Sequence, residues 1–554
     1  MKRKIHRQVV FLTLTFFVSA SVFANGNESR KKERKTFTAS LATQAGGTLY
    51  IDETYADVFV IGGAGNKIEA EAIIEITDID AELTDELFSQ TEVTLESYRD
   101  GARLSLQTPR DVIHKMRNRG GLWRSFFRGG KINISISTDL KITLPKRYSL
   151  RLENKYGDVE ITDVAGELEI RNTSGEVRLN DCGGRAEVHN NYALVDIDNF
   201  NGPLEVKNGS GQVELRDIRG DARVQNSYKS IRFRNIVGEL TVTGQSSPIT
   251  GETVKGDCDI TSSYKLIEVK GVQGRLTING PSCGIEASRI RGDASIRSSY
   301  KEVFIDSVGG ELNFMGQSST VTAKRIGKGA YIRSSYKILR VEQVGGDLEI
   351  DGSSCPIYAR DIRGNVDVVS SYKDIEIENV GGSLQIKGGS SPVTVKNVGN
   401  GATIKSSYKH VNVEDIKGDV EIAGGSCTIS VDGVTGDLDV RNSYKYVVVK
   451  GTRGSITVRG NSSPIEVSDI SSFPRNGRIE LITTYKPITV HLPESIDAKI
   501  LASTKYGKIR SDFPVYLGGE DDRSKGNKDI RATLGDGGGL IRLETSSDIV
   551  IRKD

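Results

Sequence analysis

The chain has 554 residues, with 75 Lys and Arg against 73 Asp and Glu. That near balance lacks the basic field that binding to nucleic acid requires, so nucleic acid is excluded as a partner. A total of 61 glycines, three methionines and one tryptophan, among abundant Val, Ile, Ser and Thr, describes a β-rich chain with frequent turns.

Residues 1–24 read as a secretory signal. Lys2, Arg3, Lys4 and Arg7 precede an apolar run from Val9 to Val22, and Val22-Phe23-Ala24 satisfies the small-x-small rule, which starts the mature chain at Asn25. The run is too short and too rich in threonine to span a bilayer comfortably, and no cysteine follows the cleavage site to be acylated. Export is expected, to the periplasm, the cell surface or the medium. The signal holds four basic residues and no acidic one, so the mature balance is 71 basic against 73 acidic.

Residues 25–35 are polar and charged and read as a flexible leader. Residues 36–155 read as an N-terminal β cap that opens on Gly46-Gly47-Thr48-Leu49-Tyr50-Ile51. Within it, residues 110–131 form a basic, aromatic insert with seven Lys or Arg and one acid, Asp111. Arg117, Arg119, Trp123, Arg124, Phe126, Phe127 and Arg128 are its candidate docking residues, because such a loop suits an anionic membrane surface or an acidic partner. The plainer reading is a flap covering the first coils of the array.

The array, residues 156–484, decides the architecture. Tyr156, Tyr192, Tyr228, Tyr264, Tyr300, Tyr336, Tyr372, Tyr408 and Tyr444 lie 36 residues apart without insertion or deletion. A fixed period of this length marks a repeat protein. Each unit echoes itself at 18 residues: after Tyr264 come Ile267, Val269, Val272, Leu276 and Ile278, then Ile285, Ala287, Ile290, Ala294 and Ile296. Ile-x-Val and Leu-x-Ile are period-two pairs, so each half holds two short strands with one buried face. No segment of the array offers a helical crossover. The expected fold is therefore all-β, a single-stranded parallel β-solenoid of 18-residue coils, with 36-residue coils or a string of small sandwiches as alternatives. Leu276-type and Ala294-type residues would alternate up the stack and interdigitate. One such coil cannot fold alone, so caps are expected at both ends. Residues 485–554 read as the C-terminal β cap.

Several phrases resemble the bacterial putative-adhesin family of β-strand-repeat proteins. They are Lys155-Tyr156-Gly157-Asp158-Val159-Glu160-Ile161, Leu492-Pro493 with Asp497-Ala498, Tyr506 with Arg510-Ser511-Asp512-Phe513-Pro514, and the glycine-rich close from Gly537 to Ser547. The resemblance spans residues 46–554 and departs at Ser547-Asp548, where a glycine is expected. It implies an exported β-solenoid-like protein; it transfers no catalytic residue, and the family's function is not settled.

The chemistry-bearing residues mostly read as structure. Cys182 and Cys258 occupy apolar columns, and Cys283, Cys355 and Cys427 alternate with Ser247, Ser319, Ser391 and Ser463 in a corner column. Coils two or four apart at a rise of about 4.8 Å put those three beyond bridging distance, so free, packed thiols are expected. The mature histidines, His114, His189, His410 and His491, lie in no metal-ligand spacing, and neither metal nor cofactor is expected. Arg219-Gly220-Asp221 and Arg291-Gly292-Asp293 recur as Lys-Gly-Asp elsewhere, which turn chemistry explains.

What remains is the array surface, with Tyr264-Lys265, Tyr300-Lys301, Tyr336-Lys337, Tyr372-Lys373 and Tyr408-Lys409 in identical places. These residues either stabilise the coil edge or bind. Aromatic faces stack on sugars and lysines meet carboxylates, so the expected partner is an anionic polysaccharide or other envelope component. The expected function is a non-enzymatic, adhesin-like binding or scaffolding protein. The alternative is a polysaccharide-active β-helix lyase or hydrolase, which would need a cleft of unequal loops that nine units of identical length do not supply.

Overall fold

The computed structural model describes residues 32–44, 46–77, 81–119, 134–470, 473–517 and 528–554, with backbone only at 81–82, 116–119 and 516–517. The protein falls into two compact units, residues 1–262 and 263–554. Each is a parallel β-solenoid, with about 18 turns in the two together.

The coil has 18 residues, not 36. Leu168 stands over Leu150 and Ala186 over Leu168 in one unit; Leu276 faces Ala294 and Ala294 faces Leu312 in the other. Large and small core residues alternate as the sequence implies at Leu168, Ala186 and Leu204 and at Leu276, Ala294 and Leu312, but not from Leu150 to Leu168. Each coil has two short strands whose alternate residues point inward: Val303, Ile305 and Val308 on one, Leu312 and Phe314 on the next, each at most 2% exposed.

The step from Ile305 to Val308 is three residues rather than two because Ser307 adopts a left-handed backbone, φ 59°. The extra residue turns the chain, so Val308 also faces in. Asp and Asn hold this place on many coils, as Asp181, Asn199, Asp217 and Asn235 do, since their short polar side chains tolerate that conformation. They also ladder. Asn199 Nδ2 donates to Asp181 Oδ1 at 2.6 Å, and Asn379 Nδ2 to Asp361 Oδ1 at 2.8 Å.

The first unit begins with a cap. Thr48–Thr54 and Asp57–Gly63 form the lowest coil, pairing upward with Ser149–Asn154 and Val159–Thr162. The hairpin Glu92–Tyr98 and Gly101–Gln107 covers the first of them, and Ser135–Pro145 covers the second. Lys67–Thr77 and then Lys32–Ala42 extend the latter in antiparallel fashion. The terminal strand opens Lys32-Glu33-Arg34-Lys35, a charged edge that discourages further pairing. Two short helices, Ala81–Ser89 and Pro109–Arg119, pack Leu83, Leu87, Phe88 and Val112 against Ile74 and Ile76 in a second small core.

Two expectations need correction here. Residues 32–35, read as flexible leader, belong to that edge strand. The insert at 110–131 does not begin as a loop: residues 110–119 are helical, started by Thr108 and Asp111, whose side chains cap each other's backbone N–H, with Pro109 at the first turn.

The second unit ends with its chain order broken. The coil Arg478–Ile482 and Ile488–Leu492 is not covered by the next segment, Ala498–Thr504 and Ile509–Ser511. The last segment, Gly539–Thr545 and Ile549–Lys553, slides between the two and pairs in parallel with both. Asp497 fastens this arrangement. Its carboxylate accepts the N–H of Gly538 at 3.0 Å, and backbone N–H groups of residues 536–538 hold it below the usual carboxylate range. The resemblance phrases Asp497-Ala498 and Gly537-Gly538-Gly539 are therefore two sides of one contact.

Candidate functional site

The tyrosine corner follows the second strand of every other coil. In the second unit its phrase is Ser-Ser-Tyr-Lys from Ser298 to Lys409, with the first serine facing in, and at 442–445 it is Asn-Ser-Tyr-Lys with Asn442 facing in. Ser298, Ser334, Ser370 and Ser406 are buried, while Tyr300, Tyr336, Tyr372 and Tyr408 are 57–71% exposed. Tyr264, Lys265, Lys301, Lys337, Lys373 and Lys409 are exposed as well. All ten candidate residues thus line one solvent-facing column.

Coils between these turn the same corner with a glycine and an inward Cys or Ser. Cys283, Ser319, Cys355, Ser391 and Cys427 are completely buried. Tyr408 therefore faces Ser426, and Tyr444 faces Ser462, on the neighbouring coil. Hydrogen bonds run through the buried column: Ser298 Oγ donates to Cys283 O at 2.7 Å, and Ser319 Oγ to Ser298 O at 3.3 Å.

In the first unit the inner column differs. Asn154, Asn172, Asn190, Asn208 and Asn226 are buried on five successive coils. Each amide donates to a carbonyl of its own corner and one of the coil below, as Asn172 does to Gly175 O at 2.9 Å and Gly157 O at 3.1 Å. Outside, however, the alternation is unchanged: Tyr156, Tyr192 and Tyr228 protrude, with Ser174 and Ser210 between.

Some basic residues on the coil faces are paired, as Lys324 and Arg360 are with Glu342 at 3.2 and 3.0 Å, and others among the described residues, such as Arg291, Lys387 and Lys405, are not. Among the described residues, Lys265, Lys301, Lys337, Lys373 and Lys409 have no acidic partner. The corner also carries backbone strain, since Tyr300, Tyr336 and Tyr372 sit at φ 70–74° and Lys409 at 80°. Such conformations cost about 1–2 kcal/mol for a residue with a side chain.

The column extends beyond the residues singled out from sequence. At the start of the first unit, Tyr55 stacks on Tyr156 of the adjacent coil, centroids 5.7 Å apart and planes 20° apart. Lys155 Nζ lies 5.3 Å from the Tyr55 ring, and Arg110, from the helix, lies 5.8 Å from it on the same column. At the end of the second unit come Tyr485 and Tyr506, 65% and 76% exposed, with the corner of Ser546 between them. Lys505 Nζ is 5.3 Å from the Tyr506 ring. The phrases Thr484-Tyr485-Lys486 and Lys505-Tyr506-Gly507 carried the signal, but their irregular spacing placed them in the cap.

The insert is only partly in view. Arg117 and Arg119 lie in the helix with backbone alone described, and Trp123, Arg124, Phe126, Phe127 and Arg128 lie outside the described residues. The five cysteines are buried and none forms a disulfide. Burial pushes the Cys258 thiol up to about 12 and that of Cys355 to about 11. The Arg-Gly-Asp aspartates accept backbone N–H groups from the next coil, Asp221 from Glu239 and Asp293 from Glu311, both at 2.9 Å, which is the turn role expected of them. Among the described residues no His, Cys, Asp and Glu group could hold a metal ion, and no helix is long and apolar enough to cross a membrane.

No family model matches the chain, and no curated protein matches it. Among solved structures it is similar to a "putative cell adhesion protein" from Clostridium sporogenes, at 12% identity and a TM-score of 0.17, over 47% of this chain and 99% of that one. At that identity and score the likeness decides neither family nor function, and the solenoid stands on its own register.

Proposed function

We propose that this is an exported, non-enzymatic, adhesin-like protein whose tyrosine-lysine column binds an extended anionic polysaccharide of the envelope. The observation that carries the reading is the alternation of tyrosine and serine on the outer corner. It persists over an unbroken inner asparagine ladder, over an inner serine and cysteine column, and across Tyr485, Ser546 and Tyr506, where chain order is broken. Three different interiors under one outer alternation of tyrosine and serine point to selection on that alternation, which a lysine joins from Tyr228-Lys229 to Tyr444-Lys445 and again at Tyr485-Lys486. Unpaired lysines supply charge for carboxylate or phosphate groups, and many weak contacts in a row give avidity without a pocket. The phrases shared with the putative-adhesin family agree with this reading.

The test changes Lys301, Lys337 and Lys373 together to Gln, and separately Tyr300, Tyr336 and Tyr372 to Phe. The lysine set should lose binding to acidic envelope polysaccharide at an unchanged melting temperature, while the phenylalanine set keeps most of it. Equal binding by the lysine set would make the column structural. The rival enzyme reading is met in the same assay, since a lyase or hydrolase would shorten the polymer. Residues 110–131 serve as an accessory contact with an anionic membrane surface in this proposal. Arg110 beside Tyr55 brings the base of that insert to the column. Deleting 120–131 should weaken association with anionic vesicles in a salt-dependent way.

A further inference from the structure

We infer that the ligand is held in slots between the tyrosines rather than upon them, and that each slot takes one acidic sugar ring, of the hexuronic acid class. The inference rests on the binding proposal above and names what the column recognises.

The slot follows from spacing. Successive corner positions are one coil apart, about 4.8 Å, so tyrosines on every second coil stand about 9.6 Å apart. Tyr55 and Tyr156 occupy adjacent coils and stack at 5.7 Å, so a flat group one coil away from a corner tyrosine lies in stacking contact with it. Over most of the column that intermediate place holds a half-buried serine, such as Ser318, Ser354 or Ser390, instead of a ring. Each serine floors a gap one ring thick with a tyrosine on either side. A ring entering it would lie one coil away from the tyrosine on either side. In the second unit a lysine follows each of Tyr300, Tyr336, Tyr372 and Tyr408 and brings a positive charge to the mouth, and among the described residues it forms no salt bridge. The floor offers a hydroxyl. A sugar ring provides the apolar faces and hydroxyls, and a carboxylate on that ring answers the lysine, which is the chemistry of a hexuronic acid.

The broken chain order at the end of the second unit adds weight. Direct stacking of the segment 498–511 on 478–492 would bring Tyr485 and Tyr506 onto adjacent coils. The inserted final segment interposes Ser546 and restores the gap.

The experiment fills the slots. Ser318, Ser354 and Ser390 are changed together to Tyr, and in a control set to Ala. The stacked pair Tyr55 and Tyr156 indicates that the fold accepts adjacent tyrosines, and thermal melting checks that it does. Probes are polygalacturonate, its methyl ester, and polyphosphate as a polyanion without sugar rings. Wild type and the alanine set should bind polygalacturonate well and the ester poorly, and the filled set should bind polygalacturonate about tenfold or more weakly. Polyphosphate should be bound more weakly than polygalacturonate by wild type and equally by the filled set. If the filled set binds polygalacturonate as well as wild type while the lysine set does not, the column acts by charge alone and the slot is wrong. If wild type binds neither acidic polymer, both this inference and the binding proposal fall.

Discussion

The corner beneath Tyr156 and Tyr192 and the corner beneath Tyr336 and Tyr372 present the same outward tyrosine, followed by lysine only in the second, and are built differently inside. In the first, an asparagine on every coil fills the corner and donates to carbonyls of two coils, so each coil is equivalent to the next. In the second, the corner residue is serine, which is shorter and has a single O–H where the amide has two N–H bonds. The missing volume is filled by a Cys or Ser from the neighbouring coil, and that coil must carry glycine at its corner to let it in. A Cβ on Gly280 would stand 2.9 Å from Cys283 Cβ, and one on Gly460 would stand 3.0 Å from Ser463 Cβ. Coils are thus coupled in pairs. This is why a fold with an 18-residue coil is written as a 36-residue repeat, and why only the tyrosine alternation is common to both regions.

The comparison breaks most sharply at Gly460. Gly460→Asn places an asparagine where Ser463 already turns inward and should cost about 2–3 kcal/mol, as overpacking does. Adding Ser463→Gly recreates the Asn-x-x-Gly phrase of residues 154–157 and should recover most of that loss. Chemical denaturation of the two singles and the double gives the coupling. Additive losses would mean that the two interiors are not interchangeable solutions to one corner.

The cysteines sharpen it next. Cys355 fills the place that Ser319 and Ser391 fill elsewhere, yet burial raises its thiol to about 11 against an ordinary 9.0. Below pH 9 the thiol is protonated in both folded and unfolded chains and has no effect. Above it the unfolded chain ionises first, so stability falls as pH rises toward 11 and levels off beyond. Cys355→Ser should therefore leave the melting temperature near neutral pH little changed and flatten its decline between pH 9 and 11. An unchanged alkaline decline would place the titrating group elsewhere.

Sequence made the repeat legible because a uniform period exposes its own columns and favours an 18-residue coil, but the choice over a 36-residue coil needed the pairing of Leu276 with Ala294 and of Ala294 with Leu312. The cysteine column was legible for the same reason. The helix at Pro109–Arg119 was missed because its charge was read before its start signal, although Thr108-Pro109-Arg110-Asp111 spells a capped first turn. The inserted last segment was not legible. Strands at 478–492, 498–511 and 539–553 have alike apolar patterns, and which two become neighbours depends on tertiary contacts such as Asp497 with Gly538. The candidate site was half legible. Its tyrosines and lysines were in plain view, but the left-handed backbone, the absent acidic partners and the gap above each serine are properties of the folded corner.

The smallest expected effect on stability is also the most discriminating, and it lies at Tyr336. If this residue held the coil edge together, removing its ring would cost the 1 kcal/mol or more, about, that a packed side chain contributes. The residue is 70% exposed and touches little. Its backbone, at φ 70°, occupies a region that asparagine enters at less cost than tyrosine. Tyr336→Asn therefore removes exposed area and relieves local strain together. The melting temperature should stay level or rise slightly, even though a large aromatic side chain is lost from an ordered position. The same change at Tyr192, over the asparagine ladder, removes an equally exposed ring without a left-handed backbone to relieve, so it should give no gain. Paired thermal melts of the two variants read the difference directly. A clear fall at Tyr336 would return the column to a structural role, whereas a level or raised value leaves binding as the reason for a strained, exposed tyrosine.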